Sequence, residues 1–172
     1  MHHDFFSIAQ LFGYLTFIFG VACFLQKSDQ RFRILLLGQA TSYMVHFWLL
    51  GNLPATGSAV MSMTRTLASF WTRSRWVALS FVSATIALGC WLVTSWAGVL
   101  PVIGTCIGTA AVFLFSGITM RWMMFAATCL WLLNNILSGS IGGTALEVCV
   151  GLSNLYTIRR LYHARSCVTK AT

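Results

Sequence analysis

Few side chains in this apolar chain can do chemistry, and those that can fall on helical spacings. Gln39, Ser42 and His46 recur at intervals of three and four residues, which places them on one helix face. Ser58, Ser62, Arg65 and Ser69 form a second such stripe, and Glu147, Gly151 and Asn154 a third. Trp131, Asn134, Asn135 and Ser138 cluster on a fourth stretch. This inventory supplies hydrogen-bond donors and acceptors with a single imidazole, guanidinium and carboxylate. Such groups can bind a polar solute or carry a proton. They include no paired catalytic carboxylates and no clustered metal ligands, so enzyme activity is not expected, and no cofactor is implied. His2, His3 and His163 lie outside the apolar stretches and have no ligand-like neighbours. The six cysteines stand singly without CxxC spacing, which reads as small packing residues rather than a redox or metal motif.

The elements that must position these residues follow from composition. Hydrophobic residues make up 58% of the chain and charged residues 8%, with a mean hydropathy of +0.78. A soluble domain carries roughly 25% charged residues to meet water. The expected solvent is therefore lipid, and one all-α membrane domain covering residues 1–172 is expected. A helix crosses a hydrocarbon core of ~30 Å with ~20 residues. Seven stretches qualify, at about 5–25, 34–50, 54–72, 77–95, 99–116, 122–138 and 141–159. The leader Met1-His2-His3-Asp4 has no basic n-region, so the first stretch is expected to be retained as a helix.

Orientation follows from the basic residues. Lys27, Arg31 and Arg33 fall between the first and second stretches, Arg73 and Arg75 between the third and fourth, and Arg121 between the fifth and sixth. Arg159, Arg160, Arg165 and Lys170 follow the seventh, so ten of the eleven basic residues share one side. The links near residues 52, 97 and 140 contain none. Basic residues are retained in the cytoplasm, which predicts an outer N-terminus and a cytoplasmic C-terminus. The net charge of +8 is thereby a topology signal, and no nucleic-acid partner is expected. Trp48, Trp71, Trp76, Trp96 and Trp122 sit near expected ends, at headgroup depth. Trp91 and Trp131 are placed deeper, facing neighbouring helices or a cavity.

A shift of 88 residues superposes Arg33 on Arg121, Gly51 on Gly139, Thr56 on Thr144 and His46 on Asn134. Identities number 6 over 41 positions, while basic links, glycine-containing outer links and helix lengths coincide in the same register. The expected organisation is a three-helix repeat (about 5–72), a linking helix (77–95) and a second repeat (99–162), followed by a cytoplasmic tail (163–172). An odd linker makes the repeats parallel, with their axis along the membrane normal.

The stretches LGNLPATGSAVMSMTRTLASFWTRSRW (50–76), LPVIGTCIG (100–108), GITMRWMMF (117–125) and LSGSIGGTALE (137–147) resemble the YgjV family of bacterial inner membrane proteins. The resemblance runs from about residue 8 to 162 and implies a multi-pass protein of the bacterial inner membrane. More distantly the chain resembles the PQ-loop and SWEET-like three-helix-repeat proteins. It departs from them in having no Pro-Gln dipeptide and no mid-helix proline, since Pro54 and Pro101 stand at helix starts. In that group an asparagine on the third helix of a repeat faces the substrate. Asn154 looks like that residue, and Thr66 occupies the matching position of the first repeat.

These readings give two expectations. One is a small-solute transporter whose central cavity is lined by helices 2, 3, 6 and 7 through Gln39, His46, Arg65, Trp131, Asn134, Asn135, Glu147 and Asn154. In it, Asn154, Asn134, Arg65 and Glu147 converge on one cavity, and Arg65 pairs with Glu147 or Glu147 carries a proton. The other is a non-transporting receptor or assembly partner on the same scaffold, its polar residues serving as interhelical bonds.

Overall fold

The computed structural model describes residues 7–24, 29–68, 70–72, 74–115 and 117–169. His2, His3, Lys27, Ser69, Arg73 and Lys170 lie outside the described residues, as do the side chains of Arg31, Arg33 and Arg165. Among the described residues the chain forms seven α-helices and no strand. These are α1 (Ile8–Phe24), α2 (Asp29–Leu49), α3 (Leu53–Ala68), α4 (Arg75–Leu92), α5 (Val99–Leu114), α6 (Gly117–Leu137) and α7 (Ile141–Thr169), with a 3-10 turn at Trp96–Gly98 before α5.

Helix number and order match the sequence expectation, and several ends do not. Helix α2 starts five residues before the expected span and α6 likewise, because a helix continues past the apolar stretch once its next turns meet water. Helix α7 runs through Thr169, so the described part of the expected tail is helical rather than a separate segment. Helix α3 has 16 residues, or ~24 Å at 1.5 Å per residue, shorter than expected because it ends at Ala68. Among the described residues, Arg75–Leu92 is the one helix long and apolar enough to cross a membrane by length and composition. Apolar segments of α1, α2 and α5 are shorter, and α3, α6 and α7 are diluted by the polar residues they turn inward.

Six helices close into a ring by their packing: α1 on α2, α2 on α3, α3 on α5, α5 on α6, α6 on α7 and α7 back on α1. Helix α4 packs outside this ring, against α3 and α5, and only 17% of its apolar window is buried. Helices α1 and α7 meet at bare backbone, since a Cβ on Gly142 would overlap the Gly13 carbonyl group. The aromatic core is Tyr43, Phe47 and Ala55, with Leu50 and Trp131 packed against it. Trp131 is therefore deep, as expected. Trp91 is not: it lies at the end of α4 and is 80% exposed, with Trp71, Trp76 and Trp96. The expected fourth span ran three residues too far, which moved Trp91 inward on paper.

The α2–α3 and α6–α7 links are the same turn, bond for bond. Gly51 and Gly139 have φ of +71° and +67°, the left-handed conformation that lacks a steric cost only in glycine. Gly51 N–H bonds Trp48 C=O and Asn52 N–H bonds Phe47 C=O, while Gly139 bonds Ile136 and Ser140 bonds Asn135. Asn52 and Ser140 then cap the next helix, accepting from Ala55 N–H and Gly143 N–H at 3.1 Å each. Thr56 and Thr144 hydroxyls return to the Asn52 and Ser140 carbonyls at 2.9 and 2.6 Å. Every one of these pairs is 88 residues apart.

Candidate functional site: a buried polar junction between the two turns

The capping residues of both turns face inward, so their free hydrogen-bonding capacity meets across the ring. Asn52 uses its oxygen as the cap and its Nδ2 to reach α6, donating to Asn134 Oδ1 at 3.0 Å and Ser138 Oγ at 2.7 Å. In the other direction His46 Nε2 lies 2.6 Å from Ser140 Oγ, and its Nδ1 lies 2.6 Å from the Ala9 carbonyl. A carbonyl can only accept, so Nδ1 carries the proton, and in the neutral ring Nε2 accepts the Ser140 hydroxyl. Helix α1 joins through Gln10, whose Nε2 donates to Gly139 C=O at 2.6 Å and whose Oε1 accepts Ile141 N–H at 3.2 Å.

One turn deeper, Tyr43 lies between Asn135 and Glu147. Its oxygen accepts from Asn135 Nδ2, and the Glu147 carboxyl is its charged neighbour on α7. Asn135 Nδ2 also reaches the Trp131 carbonyl at 2.8 Å, linking the Tyr43 oxygen to the α6 backbone. The Tyr43 ring stacks on Trp131 with centroids 5.5 Å apart and meets Phe47 in a tilted contact at 4.7 Å. Gly143 allows this seating, because a Cβ there would occupy the position of the Asn135 amide oxygen.

The middle of the cluster is closed from solvent, while Asn52, Ser138 and Glu147 are half-buried at its edge. His46 and Asn135 have no exposed surface, and Asn134 and Gln10 are 1% exposed. Within it, Asn134 Nδ2 and Asn135 Oδ1 are buried and have no hydrogen-bond partner. An orphaned buried donor or acceptor costs about 1–3 kcal/mol, so these two amide atoms are a local cost within the junction.

The expected site residues divide into groups. His46, Trp131, Asn134, Asn135 and Glu147 meet at the junction. Arg65 does not join them: its Nη1 donates to Thr109 Oγ1 of α5 at 3.0 Å, and no ion pair links it to Glu147 among the described residues. Asn154 accepts from Arg121 Nη1 at 3.4 Å, and Gln39 is half-buried on α2 outside the hydrogen-bonded cluster. The expected convergence of Asn154, Asn134, Arg65 and Glu147 is thus not formed by any bond or ion pair among the described residues. The reason is that Arg65 stands two turns or more from the junction end of α3, where Thr109 is the acceptor in reach. Sequence reasoning missed Gln10, Tyr43, Asn52 and Ser140. A signal was available, since the 88-residue shift sets Tyr43 on Trp131 and Asn52 on Ser140.

Residues 7–165 match a family model described as a bacterial inner membrane protein, the YgjV family. The chain belongs to this family. It is 38% identical over 155 residues to the inner membrane protein YgjV of Escherichia coli (strain K12), covering 90% of this chain and 85% of that relative. No solved structure matches. As a YgjV-family protein the chain resides in the bacterial inner membrane as a multi-pass helical protein, with the lipid bilayer as its solvent. Exposed Ile18, Trp48, Leu79, Trp91 and Leu152 give the bundle an apolar surface suited to that solvent.

Proposed function

We propose that this protein is a carrier for a small polar solute, built from two parallel three-helix units, α1–α3 and α5–α7, joined by α4. The N-terminus is outside in this reading, so the junction is the closed outer end. The observation that carries it is the exchange of contacts under the 88-residue shift. His46 bonds Ser140 as Asn134 bonds Asn52, and Tyr43 contacts Asn135 as Trp131 contacts Phe47 at 5.8 Å. Contacts that swap partners in this way fit two like units around an axis along the membrane normal, the arrangement in which carriers rock one unit against the other.

The strength of the junction suits a gate. Six hydrogen bonds join the units there: Gln10 to Gly139 and Ile141, His46 to Ser140, Asn52 to Asn134 and Ser138, and Tyr43 to Asn135. Interhelical bonds of this kind average ~0.6 kcal/mol in a membrane, which gives about 4 kcal/mol in total. Ligand binding of ordinary strength can shift an equilibrium of that size. The proposal assigns no chemical step to the site.

The test is uptake by purified protein in sealed vesicles, preceded by a thermal-shift screen of sugars, amino acids, nucleosides and organic ions. A solute that both stabilises the protein and accumulates supports the carrier reading. A ligand that stabilises without crossing supports a receptor on the same scaffold, and a uniformly negative screen supports an assembly partner.

A further inference from the structure

Helix α4 leaves a groove against α5 that the carrier reading does not use. It has a volume of about 900 Å³ and is lined by Ser74, Arg75 and Trp76 at its mouth. Ala78 and Ala110 form a shallow floor, and Leu79, Val82 and Leu114 the walls. From Arg75 to Val82 the groove descends ~10 Å along α4, most of the way through one leaflet's ~15 Å of hydrocarbon. Polar and charged at one end and apolar along its length, it has the profile of a phospholipid.

We propose that this groove is a binding site for an anionic phospholipid, with its phosphate on Arg75 and Ser74 and an acyl chain along Leu79, Val82 and Leu114. Charge selects the headgroup. Arg75 is exposed, and among the described residues no carboxylate pairs with it. The whole sequence has three acids, Asp4, Asp29 and Glu147, and Glu147 lies on α7 away from the groove lining. Arg121, Arg159 and Arg160 stand at the same end of the bundle, where Asp29 is the one acid by sequence position, so a net negative headgroup meets a net positive field. Ser74 Oγ accepts Trp76 N–H at 3.3 Å, which leaves its hydroxyl hydrogen to donate to a phosphate oxygen. Trp76 is 78% exposed beside the mouth, at the depth where an indole meets headgroups. Small residues at Ala78 and Ala110 keep the chain track open between two packed helices. The site stands independently of whether the protein carries a solute.

The experiment uses purified full-length protein in a neutral detergent, titrated with dioleoylphosphatidylglycerol, dioleoylphosphatidylcholine or glycerol phosphate. Thermal stability and lipid retention by native mass spectrometry are read together. The expected result is one retained phosphatidylglycerol bound at least fivefold tighter than phosphatidylcholine, with no effect of glycerol phosphate. Arg75→Gln should bring phosphatidylglycerol down to the phosphatidylcholine level, and Ala110→Phe, which fills the track, should weaken both lipids. Equal retention of the two lipids by the unaltered protein would overturn the proposal. So would an Arg75→Gln variant that keeps the preference, or a free glycerol phosphate that reproduces the stabilisation.

Discussion

Glu147 lies beside the Tyr43 phenol while Arg65 bonds Thr109, and this changes what its substitution should do. A carboxamide keeps an acceptor beside the Tyr43 hydroxyl, while a methyl group does not. Glu147→Gln should therefore unfold within about 1 kcal/mol of the parent, and Glu147→Ala should lose about 1–3 kcal/mol by orphaning the buried hydroxyl. Chemical or thermal unfolding in detergent checks both. In an uptake assay Glu147→Gln should also change the pH dependence of flux, and an unchanged profile removes the proton-carrying role. Asn52 does two jobs at once, so Asn52→Ala should cost about 2 kcal/mol through the lost cap and the unpaired Asn134 and Ser138. Asn52→Ser, which copies the residue at Ser140, should restore the cap and recover about 1 kcal/mol. At this scale the sequence exposed the polar groups in the spans but not their pairings. His46 and Asn134 were visible as interruptions of apolar runs. Tyr43 was not, because an aromatic ring in a helix carries no outward sign that its hydroxyl is engaged.

Turn chemistry governs the elements. Gly51 has positive φ, and a Cβ placed on it would meet nothing within 4 Å, so Gly51→Ala isolates the backbone term. The expected loss is about 1 kcal/mol. Gly142 is the opposite case, with ordinary φ but no room. Gly142→Ala must push α1 away from α7 and should cost at least the 1–3 kcal/mol typical of overpacking. Unfolding measurements on the two variants separate the mechanisms. If Gly51→Ala proves the more damaging, the close approach of α1 and α7 is wrong. Existence and order of all seven helices were legible, because an apolar stretch of span length has few other solutions. Their ends were not, since a helix stops for capping reasons. Gly139 and Ser140 set the start of α7, while nothing apolar marks its continuation to Thr169.

At the scale of the molecule, the 88-residue register is a sequence signal with a geometric counterpart in the two like turns at Gly51 and Gly139. The register anticipated which turns would be alike. It could not say that Asn52 would bond Asn134 across the ring, because a repeat relates units without stating how they meet. For the same reason it could not say which polar residues at equal depth would bond one another at this end. The N-out orientation predicts that a reporter fused to Thr172 is active in the cytoplasm and inactive in the periplasm. The reverse activity would invert the bundle and make the junction the inner end.

The central claim is that the junction opens so that a polar solute can pass between the units. Asn52 and Ser138 are in side-chain contact there, so Asn52→Cys and Ser138→Cys in one chain, with the native cysteines replaced, can be locked by oxidation. Uptake of the solute found in the stability screen, measured in sealed vesicles, should proceed with the pair reduced, stop on oxidation and return on reduction. Uptake that continues through the oxidised pair would contradict the account.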